Sequence, residues 1–144
     1  MKKILAMITI TILSMPLLSY AADDIHNMSI KNAMKMMPDS VKAKLGDFKF
    51  NFASDSVPVT GDATNKVKTS DRTNSVFKDS VESCNWVFYS ALINIKKDAQ
   101  KIGGTSVDNI QSNWRNNPTS SNKTFVCADG LIMSGVALTG YAVK

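Results

Sequence analysis

Cys84 and Cys127 are the only cysteines in the chain, 43 positions apart. That spacing rules out a Cys-x-x-Cys redox pair. Zinc needs four ligands, and the single histidine, His26, is the one imidazole available to join two sulfurs. A disulfide is the leading reading, with two buried thiols or a metal site as the alternatives. A bond closing a loop of this length stabilises an unstrained fold by about 4 kcal/mol on the chain-entropy model. His26 is followed by Met28, Met34, Met36 and Met37, and thioethers can hold Cu(I). Helical spacing instead turns Met34 and Met37 toward packing, where methionine fills gaps, and leaves His26 at a frayed terminus. A metal carrier or small envelope enzyme using His26, Met28 and Met34 is therefore the second reading.

Catalytic patterns are lacking in the sequence. One histidine gives no supported Ser-His-Asp or Cys-His pair, and the carboxylates are dispersed. Gly130, Gly135 and Gly140 are evenly spaced, but no G-x-x-x-x-G-K-[ST] occurs and no G-x-G-x-x-G opens a helix. Glycine inside a strand marks a bulge or a close packing contact, and Gly135 is assigned that structural role. Trp114 and Arg115 lead into an Asn-rich turn and form the candidate interaction surface, since Trp and Arg anchor interfaces; the competing reading packs Trp114 in the core.

The elements that must position these residues follow from periodicity. From Ser80 to Ile102 an apolar stripe of Val81, Cys84, Phe88, Ala91, Leu92, Ile95, Ala99 and Ile102 predicts one long helix, with a second strip at Trp86, Tyr89 and Ile93. Asp79 with Glu82 makes a capping-box-like start, and Gly103-Gly104 a stop. Ser29 to Leu45 predicts one kinked helix or two short ones, broken at Pro38 and ended by Gly46. Phe48, Phe50 and Phe52 alternate as in a half-buried strand. Lys66 to Thr69 predicts a short strand, and Asp71 to Lys78 an irregular stretch. Ser54 to Asp62 and Arg115 to Asn122 read as loops. Strands are expected over 106–114, with a bulge reconciling Val107 and Ile110, and over 123–128 and 131–143.

Lys2 and Lys3, the apolar run Ile4 to Leu18, and Ser19-Tyr20-Ala21 have the layout of a secretory signal peptide cleaved near Ala21. The run is too short to span a bilayer, which takes roughly 20 residues. The expected organisation is a signal peptide over 1–21 and one domain over 22–144, located in the periplasm or secreted. Its basic excess is mild and scattered: the whole chain has 17 basic and 12 acidic residues, two of the basic ones inside the signal. That argues against nucleic acid as a partner.

The ordered set Cys84 to Leu92, Ala99, Gly103-Gly104, Val107, Asn109 to Ser112, Phe125 to Cys127 and Gly130 to Gly140 resembles a family of small exported bacterial proteins often labelled as an excinuclease ATPase subunit. A true excinuclease ATPase requires Walker motifs and zinc-binding cysteine clusters, and the chain carries neither; the resemblance implies an exported protein with no catalytic residues to carry over. A weaker similarity, in the order helix, Gly-rich turn, strand, hairpin, Cys127 and small-apolar strand, is to the outer-membrane lipoprotein that senses stress for the Rcs phosphorelay. It implies a helix-on-sheet fold. The expectation is an α+β domain with an antiparallel sheet of four or five strands, one long helix on a face and a short N-terminal helical segment. The expected role is non-enzymatic, without cofactor, as a binding or stress-linked module meeting an envelope protein.

Overall fold

The computed structural model describes residues 23–54 and 61–144. The proposed signal and most of the Ser54 to Asp62 loop lie outside them. In chain order the elements are β1 (Asp24–Ser29), α1 (Ile30–Met36), α2 (Asp39–Leu45), β2 (Lys49–Phe52), β3 (Lys66–Asn74), α3 (Ser80–Lys101), β4 (Ser106–Ser112), β5 (Thr124–Asp129) and β6 (Met133–Val143).

The long helix forms where the stripe places it. Asp79 caps it, its side chain accepting from the Glu82 amide at 2.8 Å. Cys84, Val87, Phe88, Ala91, Leu92, Ile95 and Ala99 are fully buried, whereas Val81 and Ile102 at the two ends are exposed. The Phe88 ring stacks on Phe125 of β5 with centroids 4.0 Å apart. Pro38 divides the N-terminal helical segment into α1 and α2, and Gly46 ends α2 at φ 55. These helices flank α3: the Tyr89 hydroxyl donates to the Ala33 carbonyl at 2.7 Å, and Lys96 Nζ donates to the Lys44 and Leu45 carbonyls. Ala33 and Met37 supply the packing, while Met34 is 38% exposed. Met37 has extended backbone as the α1 C-cap, so it leaves the helical register that would have paired it with Met34.

The sheet is mixed and six-stranded among the described residues, which corrects the antiparallel four- or five-stranded expectation. β2 runs parallel to β4, because the chain between them crosses through β3 and α3. The sixth strand is β1, antiparallel to β5 with His26 opposite Cys127, so His26 sits in a ladder and not in a frayed end. β6 is the hub. β3 follows one of its edges from Met133 to Tyr141, and β4 and β5 share the other edge. β3 extends to Asn74, past the predicted end, its alternation carried by polar side chains. The β4 register shifts between Asp108 and Gln111, with Asn109 at φ 53, and this bulge puts Val107 and Ile110 on the same buried face.

Candidate functional site

The two faces of the sheet receive different covers. On the inner face, Cys84 near the start of α3 is disulfide-bonded to Cys127 of β5, their Cα atoms 5.9 Å apart. Beside this bond Asp129 closes β5. Its carboxylate accepts from Ser80 Oγ and from Ser134 Oγ, each at 2.5 Å, tying the helix start to β6. Burial alone would raise the Asp129 pKa, but the hydroxyls of Ser134 and Ser80, the charge of His26 and the hydroxyl of Ser83 outweigh it and hold the group below its ordinary 3.8. Serine, aspartate and histidine thus meet here in an order unlike that of a nucleophilic triad. The hydroxyls donate straight to the carboxylate and make it a weaker base, which is a joint and not a proton relay.

The outer face is where Trp114 lies. β6 turns Gly135, Ala137, Thr139 and Tyr141 to this side, and β3 turns Lys68, Ser70 and Arg72 to the same side by its antiparallel register. After β4 the chain makes a 3-10 turn over Trp114–Asn116. Asn113 N donates to the Ala137 carbonyl at 2.8 Å, and Ser112 and Thr119 exchange two backbone bonds, so both ends of the turn are fixed to the sheet. This seats the indole over Gly135, where a Cβ would meet Trp114 Cη2 and Cζ3 at 2.8 Å. Trp114 is therefore neither a core residue nor a free one: it is half-buried, a lid on a glycine gap in the outer face. The structural role assigned to Gly135 has this ring as its physical basis, and neither a helix nor a strand makes the close approach.

Around the indole lies an open cleft of about 510 Å³, lined by Lys68, Ser70, Arg72, Trp114, Arg115 and Asn116 among others. Three cationic side chains line it against one carboxylate, Asp23, which pairs loosely with Arg115 at 3.4 Å. Arg115 and Asn116 both have positive φ, 51 and 61, a conformation that costs non-glycine residues energy and that tertiary bonds must hold in place. Trp114 Nε1 is shut from solvent and has no hydrogen-bond partner among the described residues. An unsatisfied buried donor of this kind costs about 1–3 kcal/mol.

The candidate residues Trp114 and Arg115 thus line one cleft, joined by Lys68, Ser70 and Arg72, which sequence reasoning passed over. The polar alternation from Lys66 to Arg72 was the available signal, since a strand with one polar face must expose that face. The metal alternative is scattered differently. His26 acts on Asp129 through its charge, Met28 packs against the core, and Met34 lies on the exposed side of α1. No group of three or more His, Cys, Asp or Glu side chains arranged to hold a metal occurs among the described residues. No helix among them is long and apolar enough to cross a membrane.

No family model, curated protein or solved structure matches the chain.

Proposed function

We propose that the protein is an exported, non-enzymatic binding module of the bacterial envelope. In this reading its ligand is an anionic group of the phosphate or carboxylate class carried on a molecule with a flat or apolar face, and the Trp114 cleft receives it. The observation that carries the reading is the convergence of Lys68, Arg72 and Arg115 around a half-buried indole on a rigid sheet face. Guanidinium groups bind carboxylate and phosphate oxygens in a two-pronged geometry, and the indole offers a stacking surface. The resemblance to exported envelope proteins and the signal-like leader support the address, and the disulfide is compatible with an oxidising compartment.

Glucose 1-phosphate and glucuronate, titrated against a Trp86→Phe variant so that Trp114 is the single indole, distinguish the two anion classes. The expected result is a saturable, salt-sensitive change in Trp114 emission with one of them, lost in Arg72→Ala. No response to either probe would overturn the ligand class. Magnesium-dependent ATP turnover that persists on purification and is abolished by a point substitution would overturn the non-enzymatic reading.

A further inference from the structure

The seam between α1 and α3 carries a second feature, independent of the Trp114 cleft. Two side chains one turn apart on α3 reach across it. The Tyr89 hydroxyl donates to the Ala33 carbonyl at 2.7 Å, and Asn85 Nδ2 donates to Met36 Sδ at 4.0 Å. The first is a full hydrogen bond. The second is weak, because a thioether sulfur is a poor acceptor, yet it is the one side-chain hydrogen bond that Asn85 makes among the described residues. Asn85 is only 6% exposed, so a good donor is held in a buried position with a partner that barely satisfies it. Met36 is the reverse: at 61% it is the most exposed of the described methionines, against 42% for Met133, 38% for Met34 and 4% for its neighbour Met37. It lines an open groove of about 420 Å³ together with Asn85 and Trp86. Asp79 and Glu82 border the groove, and no cationic side chain among the described residues lines it.

We propose that Met36 is a site of reversible oxidation to the sulfoxide by a hydroperoxide. A lone pair on Sδ attacks one oxygen of hydrogen peroxide, an S–O bond forms as the O–O bond breaks, and the departing hydroxide takes the remaining proton and leaves as water. The sulfur gives up two electrons and the peroxide accepts them. Negative charge grows on the transferred oxygen within reach of the Asn85 amide, and hydrogen bonds strengthen when their acceptor is charged. The carboxylates at the rim repel an anionic oxidant and leave an uncharged one free to enter. The product supplies what the thioether lacks, an oxygen acceptor for Asn85. The sulfoxide therefore fastens the end of α1 to α3 beside the disulfide-bonded Cys84. Oxidation of a core methionine disrupts packing, whereas this side chain is already exposed and its new oxygen completes a seam.

The purified protein is treated with hydrogen peroxide, and sulfoxide at each methionine is followed over time by peptide mass spectrometry. Met36 is expected to oxidise roughly threefold faster than Met133 or more, a wider gap than their exposures alone would open, with Met37 protected. Asn85→Leu, of similar volume and without a donor, should bring the rates at Met36 and Met133 together. Protein converted at Met36 should melt roughly 3 °C above untreated protein, and Met36→Leu given the same treatment should show no rise. The thermal measurement needs no change at Asn85, so it decides the matter even where Asn85→Leu does not fold. The proposal is overturned if Met133 keeps pace with Met36, if a folded Asn85→Leu chain retains the native ratio of rates, or if conversion of Met36 leaves the melting temperature unchanged or lowers it.

Discussion

β6 is one strand with two differently made faces. Toward α3 it presents Val136, Leu138 and Ala142, which share a buried cluster with Phe88, Leu92 and Ile95. Away from α3 it presents Gly135, Ala137, Thr139 and Tyr141, two of them too small to fill any space of their own. The inner face gains stability from volume packed to density, reinforced by a covalent bond. The outer face is under-filled at Gly135, and the gap admits one indole from a strained turn. At Gly135 a residue that a stability argument would enlarge is small because the Trp114 ring must lie on it, which is how the outer face differs from the core face along a single strand.

That contrast can be broken most forcefully from the inside. Replacing Cys84 and Cys127 together by Ser should cost about 2–5 kcal/mol, seen as a large fall in melting temperature under non-reducing conditions. A melting curve equal to the native one would mean that the inner face does not depend on its cross-link. Next comes Gly135→Val, which forces the indole off the outer face; a loss of about 1–3 kcal/mol and a change in Trp114 emission are expected. Combining it with Trp114→Ala should recover part of the loss, because the clash partner is gone. Absence of recovery in that double-mutant cycle would place the strain elsewhere.

Asp129→Asn tests the joint beneath the disulfide. The folded carboxyl is held below 3.8, so its stabilising contribution is complete above that value and is lost as pH falls through the lowered one. A native-to-variant gap of about 1 kcal/mol at neutral pH should therefore close in acid, followed by denaturant melts along a pH series. A gap that widens in acid would contradict the assignment. Smallest of all is Arg115→Ala. Its ion pair with Asp23 is exposed, so stability should move by less than about 0.5 kcal/mol while anion binding weakens. A larger loss of stability would make Arg115 part of the scaffold.

The inner face is largely legible from residue types and the outer face is not. α3 has a local cap at Asp79, a stripe of one period and a glycine stop, all within the segment itself. β1 offers no such signal. Asp24 to Ser29 is an edge strand paired with β5 alone, with no face buried deeply enough to impose alternation. Residues 71–74 of β3 carry their period in polar side chains, which reads as irregularity until a neighbour defines the two faces. The parallel pairing of β2 with β4 is set by partners more than 50 residues apart, with a strand and a helix between them, and periodicity is blind to such contacts. Trp114 shows the limit most plainly. Its type suggested core or contact, and its actual place depends on a missing side chain 21 positions further on.

The position of β6 in the chain governs when the protein can acquire its shape. All five other strands precede β6, yet β3, β4 and β5 are joined to one another through it. A chain emerging from its amino end can form α3 early, since helix bonds are local, but the sheet has no centre until β6 arrives. Until then β3, β4 and β5 each have an open edge. A polypeptide built this way completes its sheet only after most of its length has been made, so the slow, long-range part of its folding comes last.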